Sequence, residues 1–133
     1  LPISGNSCRS QMAEGYLRLF SEGRFHVFSA GLEAHGLNTR AVQIMMEDGV
    51  DISGQTSNPI TDYSELIFDF IITVCDHAAE NCPYFPSHAE KIHHSFKDPS
   101  LVKGDSIEIM NAFRTTRNEI KEFCSAFVQE KML

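Results

Sequence analysis

The chain predicts an α/β domain: a mostly parallel, twisted sheet in three layers, with helices on both faces. Helical and extended hydrophobic patterns alternate along its length, which is the order of strand–helix–strand units. Residues 69–74 (Asp-Phe-Ile-Ile-Thr-Val) form a nearly continuous apolar run, as in a parallel strand covered on both faces. A loop containing Gly5 and Asn6 runs straight into the first helical pattern. That arrangement puts an anion site at the carboxyl edge of such a sheet. At 133 residues, the chain is read as one domain, 1–133.

The elements follow in order. Leu1-Pro2-Ile3 is too short for the buried strand that usually feeds such a loop, and Pro2 is poor in a central strand. The first strand is therefore expected to be missing or truncated. Ser10 to about Glu22 carries Met12, Tyr16, Leu19 and Phe20 at helical spacing, with Ser10 as its cap. Phe25 to Ser29 reads as a short strand closed by Ala30-Gly31. Asn38 reads as the N-cap of a helix running to about Asp48 and ended by Gly49. Asp51 to Thr61 is turn-rich, with Gly54, Asn58 and Pro59. A short helical turn is expected at Ser64 to Ile67. Lys91 to Phe96 reads as a further strand after the Asp69 to Val74 run. From Asp105 a long helix presents Ile107, Met110, Phe113, Ile120, Phe123 and Phe127 as an apolar stripe.

Composition narrows the function. The hydrophobic fraction is 42% and Trp is absent, so ten Phe residues supply most of the aromatic volume of the core. No apolar run approaches the roughly 20 residues of a membrane helix. No charged-then-apolar leader opens the sequence. The expectation is a cytoplasmic protein, monomeric, with no membrane partner. A formal net charge of -7 argues against nucleic-acid binding, which requires an excess of Lys and Arg. It leaves room for a small oxyanion held by backbone N–H groups, a helix N-terminus and one Arg. The four cysteines are Cys8, Cys75, Cys82 and Cys124. They are expected as reduced thiols, some of them redox-active.

The segment Ile3-Ser4-Gly5-Asn6-Ser7-Cys8-Arg9-Ser10 is the candidate anion loop. Gly5 and Asn6 tolerate the left-handed backbone that lets successive N–H groups converge. The helix that follows adds its partial positive charge. Arg9 offers a planar fork to a tetrahedral oxyanion, and Ser10 a hydroxyl. The plainer alternative is a Gly/Asn turn ahead of a Ser-capped helix.

Gly5 through Gly15 (Gly-Asn-Ser-Cys-Arg-Ser-Gln-Met-Ala-Glu-Gly) resembles the loop and first helix of thioredoxin-coupled arsenate reductases. These share their fold with low-molecular-weight protein tyrosine phosphatases. The similarity continues through Ser29-Ala30-Gly31, Glu33-Ala34-His35-Gly36 and Asp51-Ile52-Ser53. It extends to Thr73-Val74-Cys75, Asn81-Cys82-Pro83 and Asp98-Pro99, spanning nearly the whole chain in order.

The resemblance implies reduction of arsenate to arsenite, with an oxyanion held by Ser4, Gly5, Asn6, Ser7, Cys8, Arg9 and Ser10. In that family the loop reads Cys, five residues, Arg, which puts the nucleophilic cysteine at Ile3 here. Isoleucine cannot form a thiolate. Cys8 lies within the loop near a helix N-terminus that favours thiolates. Its loop position differs from that of the nucleophile and would point its side chain elsewhere, against in-line attack. In the family the matching position is commonly Cys without being the nucleophile. The resemblance implies that Cys75 attacks the arsenic-bearing sulfur and that Cys82 resolves the disulfide, which thioredoxin then reduces. Asp98 matches the general-acid position, with Lys97 beside it. Asn6, Glu14, Ser29 and Asn58 match a monovalent-cation site that takes potassium in some members. Asn58 stands where those members carry Asp, so one charge is lacking. No other cofactor is implied.

Two functional alternatives stand beside this reading. One is a low-molecular-weight tyrosine phosphatase, although Pro99-Ser100-Leu101 offers no Tyr pair to grip a phenyl ring. The other is a non-catalytic oxyanion-binding relative, which Ile3 supports. Zinc is disfavoured. Cys75, His77, Cys82, His88, His93 and His94 are close in sequence, but the cysteine spacing exceeds that of zinc pairs. His93 and His94 would point to opposite faces of a strand. Cys124, beside Phe123 on the last helix, is expected to be packing.

Overall fold

The structure, a computed structural model, describes residues 2–3, 8–31, 37–56, 68–74 and 89–132. The expected turn at Ser64 to Ile67 and the end of the Asp51 to Thr61 segment lie outside the described residues.

Two parallel strand pairs are formed. β1 (Pro2–Ile3) pairs with β2 (Ala30–Gly31), Pro2 opposite Ala30 and Ile3 opposite Gly31. β3 (Phe70–Thr73) pairs with β4 (Glu90–His93), from Phe70 opposite Glu90 to Thr73 opposite His93. The two pairs form separate hydrogen-bonded sheets among the described residues, with β1 lying near β3. Neighbouring residues Ile71 and Ile72 are both buried. They point to opposite sides of β3, so that strand is covered on both faces as its apolar run predicts. The carboxyl end of β1 leads toward α1, and in parallel α/β sheets ligands bind at the carboxyl ends of strands.

The helices are α1 (Arg9–Ser21), α2 (Thr39–Glu47) and α3 (Ser106–Lys131), with a short 3-10 turn at Pro99–Leu101. Both α1 and α2 pack against α3. Asn38 caps α2 by accepting from the N–H groups of Arg40 (2.9 Å) and Ala41 (3.1 Å). Gly49, at φ +78°, ends that helix in the left-handed conformation Gly adopts at low cost. Arg114 forks onto the Glu47 carboxylate with two 2.8 Å bonds, and Arg117 reaches the same group and the Ile44 carbonyl. These bonds clasp α2 to α3. No helix among the described residues is long and apolar enough to cross a membrane.

The first strand is truncated, to two residues, as expected. Pro2 is its first residue, where a missing N–H is best tolerated. Other parts of the sequence reading need correction. Phe25 to Ser29 forms no strand; the strand is Ala30–Gly31. The Val27 carbonyl is taken by the Arg18 guanidinium at 2.7 Å instead of by a ladder partner. The Lys91 to Phe96 strand starts and stops earlier, at Glu90–His93. The backbone N–H of Phe96 still reaches the Val74 carbonyl at 3.3 Å. Leu19 and Ile107 leave their stripes, at 53% and 71% exposure. Each lies near a helix end, where the core no longer reaches. Cys124 is packing as expected: it is fully buried, its thiol faces the Ala13 carbonyl at 3.8 Å, and burial pushes its pKa up to about 12.

Every residue of α1 from Arg9 to Leu17 is buried. A helix buried on all sides needs a close approach somewhere, and Gly15 provides it. A Cβ there would lie 2.8 Å from Ile52 Cγ2, 3.1 Å from Met45 Cε and 3.3 Å from Val50 Cγ1. Gly15→Ala gains up to about 1 kcal/mol of helix propensity but overpacks this contact at a cost of about 1–3 kcal/mol. The expected outcome is a lower thermal midpoint, measured by circular dichroism, with a larger loss for Gly15→Val.

Candidate active site

The site grows from the N-terminal end of α1. Helix starts direct their first backbone N–H groups outward along the axis. In α1 the first helical hydrogen bond runs from Met12 N to the Cys8 carbonyl at 3.0 Å. Cys8 is therefore the N-cap residue, and its side chain makes no capping bond. Ser10, expected as the cap, instead lies inside the first turn and is fully buried.

Arg9 opens the helix and is only 2% exposed. Its NH1 donates to the Phe96 carbonyl at 2.9 Å. Its NH2 lies 3.6 Å from Asp98 Oδ2, an ion pair rather than a hydrogen bond. The structure thus brings together Arg9 and Asp98, two expected site residues 89 positions apart in the sequence. The cation facing Asp98 is Arg9 rather than Lys97, whose side chain is exposed. Asp98 is oriented from its other side as well. Its Oδ1 accepts from the Ser100 backbone N–H (3.0 Å) and hydroxyl (2.6 Å), which caps the 3-10 turn. The carboxylate is held with one oxygen toward its own turn and the other toward Arg9.

Cys8 does not meet the needs of a nucleophile. Burial pushes its thiol well above the ordinary range, the Asp98 charge pushes the same way, and Arg9 only partly opposes them. The group stays protonated at neutral pH, despite its place at a helix N-terminus. For Ile3 the structure gives backbone placement: it is the last residue of β1, opposite Gly31. Ser4, Gly5, Asn6, Ser7, Asn58, Cys75 and Cys82 lie outside the described residues.

Glu14 and Ser29 do come together. The Ser29 hydroxyl donates to Glu14 Oε1 at 2.5 Å. Glu14 Oε2 is already engaged by Arg18 Nε at 3.0 Å. A potassium ion at this carboxylate would face a guanidinium, so the described half of that site does not fit one. Of the histidines weighed for zinc, His93 and His94 are described. His93 Nδ1 shares a hydrogen bond with Thr73 Oγ1 (2.6 Å), while His94 stacks on Phe96. Among the described residues no cluster of His, Cys, Asp or Glu is arranged to hold a metal.

Three contributors were missed in the sequence. Gln11 is fully buried; it donates to the Thr56 carbonyl (2.8 Å) and accepts from Gln55 (2.7 Å), tying the start of α1 to the turn after α2. The Phe96 carbonyl anchors Arg9, and no residue type could have signalled that. Ser100, two positions after Asp98, carried a readable signal, because Asp followed by Ser at that spacing forms such turns.

Parallel strand pairs, with Arg9 buried at the start of α1 and Asp98 beside it from the segment after β4, fit an α/β enzyme of the low-molecular-weight phosphatase class. The chain belongs to the low molecular weight phosphotyrosine protein phosphatase family, which it matches over residues 3–132. Among its relatives, an arsenate reductase of Halalkalibacterium halodurans is 44% identical over 126 residues, covering 95% of this chain and 91% of that one. An arsenate reductase of Bacillus subtilis is 44% identical over 124 residues, covering 90% and 89%. A solved arsenate reductase in the phosphate binding state matches with a TM-score of 0.77 at 34% identity, over 97% of this chain and 94% of that one.

The state of Cys8 is directly testable. In the folded protein at pH 8 the Cys8 peptide is expected to resist alkylation by iodoacetamide, read by mass spectrometry. It should label only after unfolding in guanidinium. Labelling in the native state would show that the thiol is accessible and ionisable.

Proposed function

We propose that this site serves the reduction of arsenate to arsenite, with thioredoxin as electron donor. The observation that carries the reading is the buried Arg9, braced by the Phe96 carbonyl and Asp98, in a chain 44% identical to arsenate reductases. A guanidinium has five N–H donors in a fixed fork, suited to holding these acceptors and a tetrahedral oxyanion. Loop N–H groups and Arg9 bind the oxyanion and stabilise its charge. Asp98 protonates the departing oxygen.

The chemistry needs a thiol at position 3. There, a thiolate displaces one arsenate oxygen as water, and an As–S bond forms. The Cys75 thiolate then attacks that sulfur. An S–S bond forms, and the As–S electron pair leaves with arsenic, reducing As(V) to As(III). Cys82 attacks Cys75, releasing the first thiol and leaving a Cys75–Cys82 disulfide. The dithiol of thioredoxin reduces it and is itself oxidised. A phosphatase requires neither Cys75 nor Cys82.

Position 3 is Ile3 in this chain, and the one described thiol beside Arg9 is buried, which pushes its pKa up. Those two observations favour a second reading for the chain as it stands: it binds the oxyanion without reducing it. Arsenate-dependent NADPH consumption with thioredoxin and thioredoxin reductase separates the two. The unaltered chain is expected to give none. Ile3→Cys is expected to create turnover, and adding Cys82→Ser to abolish it. Failure of Ile3→Cys in a folded protein would remove the reductase reading.

A further inference from the structure

Glu14 is a buried carboxylate within the buried part of α1, Arg9 to Leu17. Such a charge needs a counter-ion, because burying it unpaired is costly. The structure supplies one from the same helix. Arg18, one turn later, places Nε 3.0 Å from Glu14 Oε2. The order, acid before base at four residues, is the favourable one. The same guanidinium reaches across with NH2 to the Val27 carbonyl at 2.7 Å. Ser29, two residues further on, returns a hydroxyl to Glu14 Oε1. Arg18, Glu14 and Ser29 thus form a closed loop of contacts between α1 and the segment entering β2. The segment carries the strand that pairs with β1, next to the oxyanion loop.

We propose that Arg18 is the resident cation of this site. It is a built-in counter-ion for Glu14 that takes the place of a monovalent metal ion and straps α1 to the strand beside the loop. Its head carries one positive charge and donates along two directions, to a carboxylate and to a carbonyl. Those are the ligand types a potassium ion would collect. A free ion has nothing to add there and would meet like charge. The inference does not depend on arsenate being the substrate, because it concerns stability.

Thermal unfolding tests it, comparing potassium chloride with tetramethylammonium chloride at equal ionic strength. The unaltered chain is expected to melt at the same temperature in both, within about 1 °C. Arg18→Met is expected to melt lower and to be raised selectively by potassium, by about 4 °C or more at saturating salt. Arg18→Lys keeps the charge and is expected to stay indifferent. A potassium-selective rise in the unaltered chain would overturn the proposal, even if Arg18→Met does not fold. So would a folded Arg18→Met as indifferent to potassium as its parent.

Discussion

A guanidinium buried at the first turn of a helix must be met by acceptors, since its desolvation is tolerated only when it is paired. Arg9 imposes that requirement on the rest of the site. One acceptor is the Phe96 carbonyl and the other the Asp98 carboxylate. Both lie beyond β4, so the segment leaving that strand must return over the start of α1. Phe96 is itself buried in the core, and Ser100 holds Asp98 from behind. The position of Asp98 is thereby tied to that of Arg9, and neither can move without the other losing a partner.

The same helix is fixed at other points by polar contacts to separate elements. Gln11 reaches the turn at Gln55 and Thr56. Glu14 reaches Ser29. The Tyr16 hydroxyl donates to Asp48 at 2.7 Å, where Lys121 of α3 also pairs at 2.9 Å. Apolar packing alone would allow α1 to slide or turn by small amounts, because it is not directional. Directional bonds on several sides remove that freedom. Oxyanion stabilisation depends on donors held in place before the ligand arrives, which gives a reason for so many polar groups within one buried helix.

Much of this was legible in the sequence. The apolar run of β3, the Asn38 cap, the Gly49 stop and the long last helix follow from local chemistry, and the structure has them. Arg9 and Asp98 could be named from motif and resemblance. Their pairing could not, since it joins residues 89 positions apart through the path of the backbone after β4. The strand expected at Phe25 to Ser29 failed for a related reason. Its β-branched and aromatic residues suit a strand, but the Val27 carbonyl is claimed by a side chain from another element. For Cys8 the sequence shows the helix N-terminus but not the burial, which pushes its thiol up. Local signals report propensity, whereas these outcomes are set by tertiary neighbours.

The central claim is that Arg9, braced by Phe96 and Asp98, is the oxyanion anchor. Calorimetric titration of the unaltered chain and of Arg9→Lys with inorganic phosphate tests it most directly. A lysine keeps the charge but loses the fork. Phosphate is expected to bind the unaltered chain and to bind Arg9→Lys about tenfold or more weakly, the loss of a charge-assisted bond. Equal affinity for phosphate in the two folded proteins would contradict the account.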